Sequence, residues 1–394
     1  MYTDDSGTVP LRAILREWTR IGYTGFGGPP AHIALLRKLC VIDRGWLSAE
    51  EFEDAIAATN LLPGPASTQL AIYCAWRLRG RTGAILGGIC FILPGLILIL
   101  ALSALFLAAH PPRWVDGAAA GAGAAVPAVA LHAAYGLIPA SWKRAGTPRA
   151  TRARWIGYLI AGALAAVLLG PYLVLILLAC ALTELLARTG RPTRRTRTRA
   201  GSLPLPLPLA LPLTAATGGL LALAWVAFKV GALSYGGGFV IIPLMQHDAV
   251  HTYHWMTNAQ FLDAVALGQI TPGPVVQTVA VVGYAAAGVG GGLLAAAIAF
   301  APSFLFVLFG ARHFDQLRHN VRAQAFLTGA GPAAIGAIAG AALPLTLALT
   351  HLWQAGILAF AALALFVLRR GVVTTLLAAA GLGIIAVLAG APVS

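Results

Sequence analysis

The chain reads as an all-α integral membrane protein built from two inverted-topology repeats with discontinuous or re-entrant helices. Three observations carry that reading. Hydrophobic residues make up 59% of the sequence and charged residues only 10%, with a mean hydropathy of +0.81, whereas a soluble domain carries about 25% charged residues. The segment from Arg20 to Pro65 recurs without a gap, 209 positions further on, as Lys229 to Pro274. Both copies hold Gly and Pro breaks inside apolar sequence, the trace of discontinuous membrane helices whose ends bind ions near the bilayer midplane.

The repeat is not an accident of composition. Fourteen of the 46 aligned pairs are identical, and eight of those fall on Gly, Pro, Trp and Asp, which apolar content alone does not align. They include Gly22/Gly231, Gly27/Gly236, Gly28/Gly237, Trp46/Trp255, Asp54/Asp263 and the whole of Pro63-Gly64-Pro65 against Pro272-Gly273-Pro274.

A membrane-crossing helix needs roughly 20 apolar residues. Thr82 to Ala109, Ala118 to Ala140, Gly290 to Gly310, Ala325 to Leu349, Leu352 to Leu368 and Val372 to Ala389 each satisfy this. Trp155 to Ala187 is too long for one crossing and is divided at Gly170-Pro171 into two short helices. With Leu209 to Phe228, the count is about nine full spans, plus up to four broken segments. Two broken segments lie in each half. Arg20 to Leu36 is interrupted at Gly27-Gly28-Pro29-Pro30, and Glu50 to Trp76 turns at Pro63-Gly64-Pro65. Proline removes a backbone donor and glycine permits left-handed conformations, so such segments leave unpaired backbone groups that must line a cavity or be buried in protein.

The domains follow: a first repeat over 1–187, a basic and Leu-Pro linker over 188–208, and a second repeat with an extra leading span over 209–394. Loop charge orients them, since short basic loops stay cytoplasmic. Arg37 to Arg44, Arg77 to Arg81 and Lys143 to Arg154 are basic, while their counterparts His247 to Asn258, Ala286 to Gly292 and Pro344 to Gln354 contain no Lys or Arg. The reversal places the repeats in opposite orientations, with the N-terminus cytoplasmic. The net charge of +14 sits in loops between apolar runs, which favours anionic lipid over nucleic acid as partner. No secretory signal is evident between Met1 and Arg20. Cys40, Cys74, Cys90 and Cys180 lack metal-ligand spacing and read as small core residues.

The chemistry on offer is anion binding by backbone. After each Pro-Gly-Pro a helix is expected to start with the second proline at its first position. The amides of Ala66, Ser67 and Thr68, and of Val275, Val276 and Gln277, then point inward at the positive end of a helix dipole. Gly27-Gly28 and Gly236-Gly237-Gly238 offer a nest of amides. Ser67, Thr68, Gln69, Gln269, Thr271 and Gln277 supply donors beside the turns, a set suited to a small polyoxo anion. The bland alternative is that Gly and Pro only allow close helix packing. Arg20 and Lys229 form a repeat-matched charged pair, either functional cations or snorkelling helix ends. Asp54 and Asp263 are candidates for proton coupling, for partners of those cations, or for helix caps. His247, His251 and His254 have a usable metal spacing but no ligand frame beyond Asp248, so no metal and no cofactor is expected. There is no Walker sequence.

At these residues the chain resembles the chromate transporter family. Its long-chain members carry FGGP in one domain and FGGG in the other, a following PGP, and RLRG after the first PGP. Here these stand as Phe26-Gly27-Gly28-Pro29, Tyr235-Gly236-Gly237-Gly238, the two Pro-Gly-Pro turns and Arg77-Leu78-Arg79-Gly80. Arg20 replaces the family's usual Lys and Tyr235 its Phe. The resemblance implies an inner-membrane protein that exports chromate from the cytoplasm on the proton motive force and confers chromate resistance. Sulfate, a tetrahedral dianion of similar size, is the alternative substrate. A membrane-embedded enzyme acting on phosphorylated lipid and an anion channel are the readings from other classes, and a homodimer is an assembly the sequence leaves open.

Overall fold

The computed structural model describes residues 9–60, 62–108, 110–169, 172–189, 219–234, 241–311, 314 and 320–392, and every regular element among them is helical. In the first half these are α1 (Leu11–Thr24), α2 (Pro29–Arg37, running into a π turn Lys38–Asp43), α3 (Ala49–Thr59), α4 (Ala66–Phe106), α5 (Arg113–Ala145), α6 (Arg149–Leu168) and α7 (Leu173–Thr189). The second half holds α8 (Leu220–Leu233), α9 (Ile241–Gln246, running into a π turn His247–Thr252), α10 (Asn258–Ile270), α11 (Thr278–Gly310), α12 (Val321–Leu347), α13 (Leu352–Ala362, extended by a π turn Leu363–Val367) and α14 (Val372–Leu388).

Among the described residues four helices are long and apolar enough to cross a membrane: α4, α5, α11 with the turn before it, and α12; α8, α13 with its extension, and α14 are shorter apolar helices. Their outer faces are apolar too. Ile85, Ile89, Leu93 and Ile97 recur every fourth residue on α4 and are exposed, as are Ile156, Ile160 and Leu164 on α6. Water would not tolerate such stripes, and hydrocarbon does. Inside, small residues bring backbones together. A Cβ on Gly336 of α12 would overlap the carbonyl of Leu159 on α6, and one on Gly121 of α5 would overlap that of Ala379 on α14. Helices of one half thus pack on helices of the other.

Local chemistry explains the boundaries. Ser48 and Thr257 begin α3 and α10 with complete capping boxes, paired with Glu51 and Gln260. α4 and α11 each fold back sharply, at Arg79-Gly80 and Ala287-Gly288, where the glycines adopt φ of 58° and 63°. The reversal lays the arms side by side, so that a Cβ on Gly87 would strike Ala75 and one on Gly283 would strike the Gly291 carbonyl. Arms 66–78 and 81–106 are thus separate helices in space.

Two boundaries differ from the sequence reading. The helix expected over Leu209 to Phe228 begins, in its described part, at Leu220 and runs on through Lys229 to Leu233. It keeps the 209-residue register with α1, so it is the counterpart of α1 and not an element peculiar to the second half. Residues 209–218 lie outside the described residues, as do most of the linker over 188–208 and the Gly170-Pro171 division between α6 and α7. The four cysteines are free and buried.

Candidate functional site

Two helical hairpins bring the site together in the first half. α1 and α2 close at their outer ends through the Glu17–Arg44 ion pair (3.1 Å) and the stacked rings of Trp18 and Trp46, 6.5 Å apart. The tip lies at Gly25 to Gly28. The second hairpin runs from α3 through Pro63-Gly64-Pro65 into arm 66–78.

Each Pro-Gly-Pro turn seats on the opposite half. Gly64 adopts φ +115°, and a Cβ there would lie 2.5 Å from Gln69 Nε2 and 3.2 Å from Ser303 Oγ of α11. Gly273 adopts φ +101°, and its amide donates to the Gly25 carbonyl at 3.0 Å. Gly95 of α4 approaches the Pro272 carbonyl so closely that any Cβ would overlap it, and Gln277 Nε2 donates to the Ile92 carbonyl at 2.7 Å. The first turn reads its own strain differently, since Gln69 Nε2 donates to Pro63 O at 2.7 Å within the same turn.

The prolines act as caps. Pro65 and Pro274 precede the first helical residue with extended backbone, instead of occupying the expected first helical position. This changes which amides are unpaired. Thr68 and Gln277 donate to Pro65 O and Pro274 O, both at 2.9 Å. The amides left without an acceptor among the described residues are those of Ala66, Ser67, Val275 and Val276. Beside the turns, buried side-chain atoms also lack a partner: Thr68 Oγ1 and Ser303 Oγ as donors, and Gln69 Oε1 and Gln277 Oε1 as acceptors; Ser234 Oγ and Gln269 Nε2 are likewise buried without a partner among the described residues. Buried polar groups are nearly always paired. A group of unpaired donors at two turns has the chemistry to hold a ligand with acceptor oxygens, and the two amide carbonyls suit a water or a hydroxyl on such a ligand.

Of the other expected residues, Gly27 and Gly28 have φ of 98° and 71°, but Gly27 is exposed and it is Gly25 that docks on the second turn. Gly236 and Gly237 lie outside the described residues. Arg20 pairs with Glu17 at 2.8 Å and Lys229 with Asp248 at 2.5 Å, so the counter-ions are not Asp54 and Asp263. The reason is reach: Glu17 is one turn away on the same helix, and Asp248 sits on the π turn that folds back beside α8. Asp263 has no ion pair or hydrogen bond among the described residues, and its Oδ1 faces the backbone of Gly123 on α5.

His32 was not anticipated. Its fully buried ring spans the two hairpins of the first half, with Nε2 2.9 Å from the Gly25 carbonyl, Nδ1 3.2 Å from Ser67 Oγ, and its edge against Phe91. The Gly25 carbonyl thus accepts from His32 and from Gly273 together, which fixes the imidazole proton on Nε2.

An all-helical protein whose broken helices present backbone amides in its interior belongs to the class of membrane transporters. More particularly, the chain belongs to the chromate transporter family, which matches residues 12–185 and 221–384. It is 33% identical over 346 residues to the chromate transport protein of Cupriavidus metallidurans, covering 86% of this chain and 83% of that one. Similarity extends to a probable chromate transport protein of Synechococcus elongatus, 31% identical over 84% of this chain and 83% of the relative. The chromate transport protein of Pseudomonas aeruginosa is 30% identical, over 82% and 78%. No solved structure matches the chain.

Proposed function

We propose that this chain carries chromate out of the cytoplasm across the inner membrane, driven by the proton motive force, with one anion held between the two Pro-Gly-Pro turns. The observation that carries the reading is the set of unpaired amides of Ala66, Ser67, Val275 and Val276, joined by the orphaned hydroxyls of Thr68 and Ser303. Free helix N-termini in a water-poor interior attract an oxyanion without a fixed cation. Sulfate offers the same four oxygens and is the competing substrate. Asp263, unpaired and facing α5, is the carboxylate assigned to proton exchange, with Asp54 its counterpart in the first half.

The two halves, 1–187 and 209–394 around the linker 188–208, act as inverted repeats that rock about the site. Reversed loop charge supports this, and so does the seating of each turn on the other half. In this reading the hairpins re-enter the membrane from opposite faces and the N-terminus is cytoplasmic. The test is uptake of radiolabelled chromate into inverted membrane vesicles. Gradient-dependent uptake that excess sulfate fails to suppress supports the proposal; uptake indifferent to a pH gradient removes the coupling, and full suppression by sulfate changes the substrate.

A further inference from the structure

A cavity of about 370 Å³ opens between α1 and the end of the first π turn, lined by Arg12, Ala13, Arg16, Glu17, Arg44 and Trp46. Arg12 and Arg16 are four residues apart and share a helix face. Both are exposed, and neither has a partner among the described residues. Glu17, the one carboxylate in the cavity, is already held by Arg20 and Arg44, and Arg44 lies over the Trp46 ring at 5.8 Å. Among the described residues Arg12 and Arg16 are therefore surplus positive charge. Beside them on α1, Leu15 is 51% exposed.

The second half contains the same hollow without the charge. A cavity of about 280 Å³ is lined there by Leu221, Ala222, Trp225 and Tyr253, among others, which at the 209-residue offset stand for Arg12, Ala13, Arg16 and Arg44. Shape is common to both, so the fold does not need the arginines. Their charge answers to something met on one face only.

We propose that the Arg12–Arg16–Arg44 cavity seats the phosphate of an anionic phospholipid headgroup. Basic pockets between membrane helices recognise such headgroups, and Trp46 with Ala13 supplies the apolar wall that the glycerol of a lipid requires. A free tetrahedral oxyanion fits less well, because it makes no use of the apolar wall that Trp46 supplies.

The test is native mass spectrometry of the detergent-purified full chain titrated with phosphatidylglycerol or with phosphatidylcholine of matched acyl chains. The wild type should retain phosphatidylglycerol preferentially, and Arg12→Gln/Arg16→Gln should lose roughly tenfold or more of that affinity with phosphatidylcholine binding unchanged. Arg12→Lys/Arg16→Lys, which keeps the charge, should hold an intermediate level and stands in if the Gln variant does not fold. Excess inorganic phosphate should leave the phosphatidylglycerol adduct in place. Displacement by phosphate makes the cavity a vestibule for free oxyanions and overturns the proposal. No lipid preference in the wild type, or equal retention by the wild type and a folded Gln variant, overturns it equally.

Discussion

The amide of Gly273 reaches across the molecule to the carbonyl of Gly25 at 3.0 Å, joining the second Pro-Gly-Pro turn to the break between α1 and α2. His32 holds the same carbonyl from the other side. The breaks of the two halves therefore form one structure, and a displacement of either half must be felt at the opposite turn.

His32→Ala should uncouple that junction. It leaves the Gly25 carbonyl with one donor and the Ser67 hydroxyl without the acceptor it donates to, at a cost of about 1–3 kcal/mol for a buried group left unsatisfied. Thermal unfolding in detergent is expected to move down, and chromate transport at equal expression to fall more than folded protein does. Wild-type transport in this variant would confine His32 to packing.

Lys229 and Asp248 form a largely buried ion pair, with side chains 20% and 7% exposed. Removing one partner strands the other, so Lys229→Gln should destabilise by about 3–5 kcal/mol, and Lys229→Arg by much less. Lys229→Gln combined with Asp248→Asn should recover most of the loss. If the double variant recovers stability but binds chromate weakly, the cation also attracts the anion.

Asp263→Asn separates coupling from binding. Asp263 has no ion pair among the described residues, so neutralising it should leave chromate binding near wild type. Dependence of transport on a pH gradient should disappear. Unchanged gradient dependence returns Asp263 to a structural role beside Gly123.

Ser48 and Thr257 are exposed, cap equivalent helices, and report orientation. With the four native cysteines replaced by alanine, Ser48→Cys should react with an impermeant thiol reagent only in inverted vesicles and Thr257→Cys only in intact cells. Reaction of both from one side would contradict the inverted repeat.

Much of this fold is written in residues whose backbone demands are local. Gly64 and Gly273 announce turns, and Ser48-Glu51 and Thr257-Gln260 announce helix starts, because a cap needs only residues three apart. What the sequence hid lies in contacts between halves. Gly25 escaped notice because its counterpart is Ser234, so the repeat shows no identity there. Gly95 and Ser303 face opposite turns as equivalents, but past the turns the offset shortens by one residue, as Pro94 and Pro302 show, and an ungapped comparison ends before reaching them. The Glu17–Arg44 and Lys229–Asp248 ties occupy similar places with the signs exchanged, which no residue-by-residue match detects. The second proline of each turn lies one residue before its expected place, as the cap and not the first helical residue.

The central claim is that two opposed turns make one site. Isothermal titration of chromate into the purified chain measures it directly. The account predicts one chromate per chain, with binding lost in Gly64→Ala and equally in Gly273→Ala, since a Cβ strains either left-handed turn and each turn supplies half of the donors. Two chromates per chain, each abolished by only one of the substitutions, would contradict it.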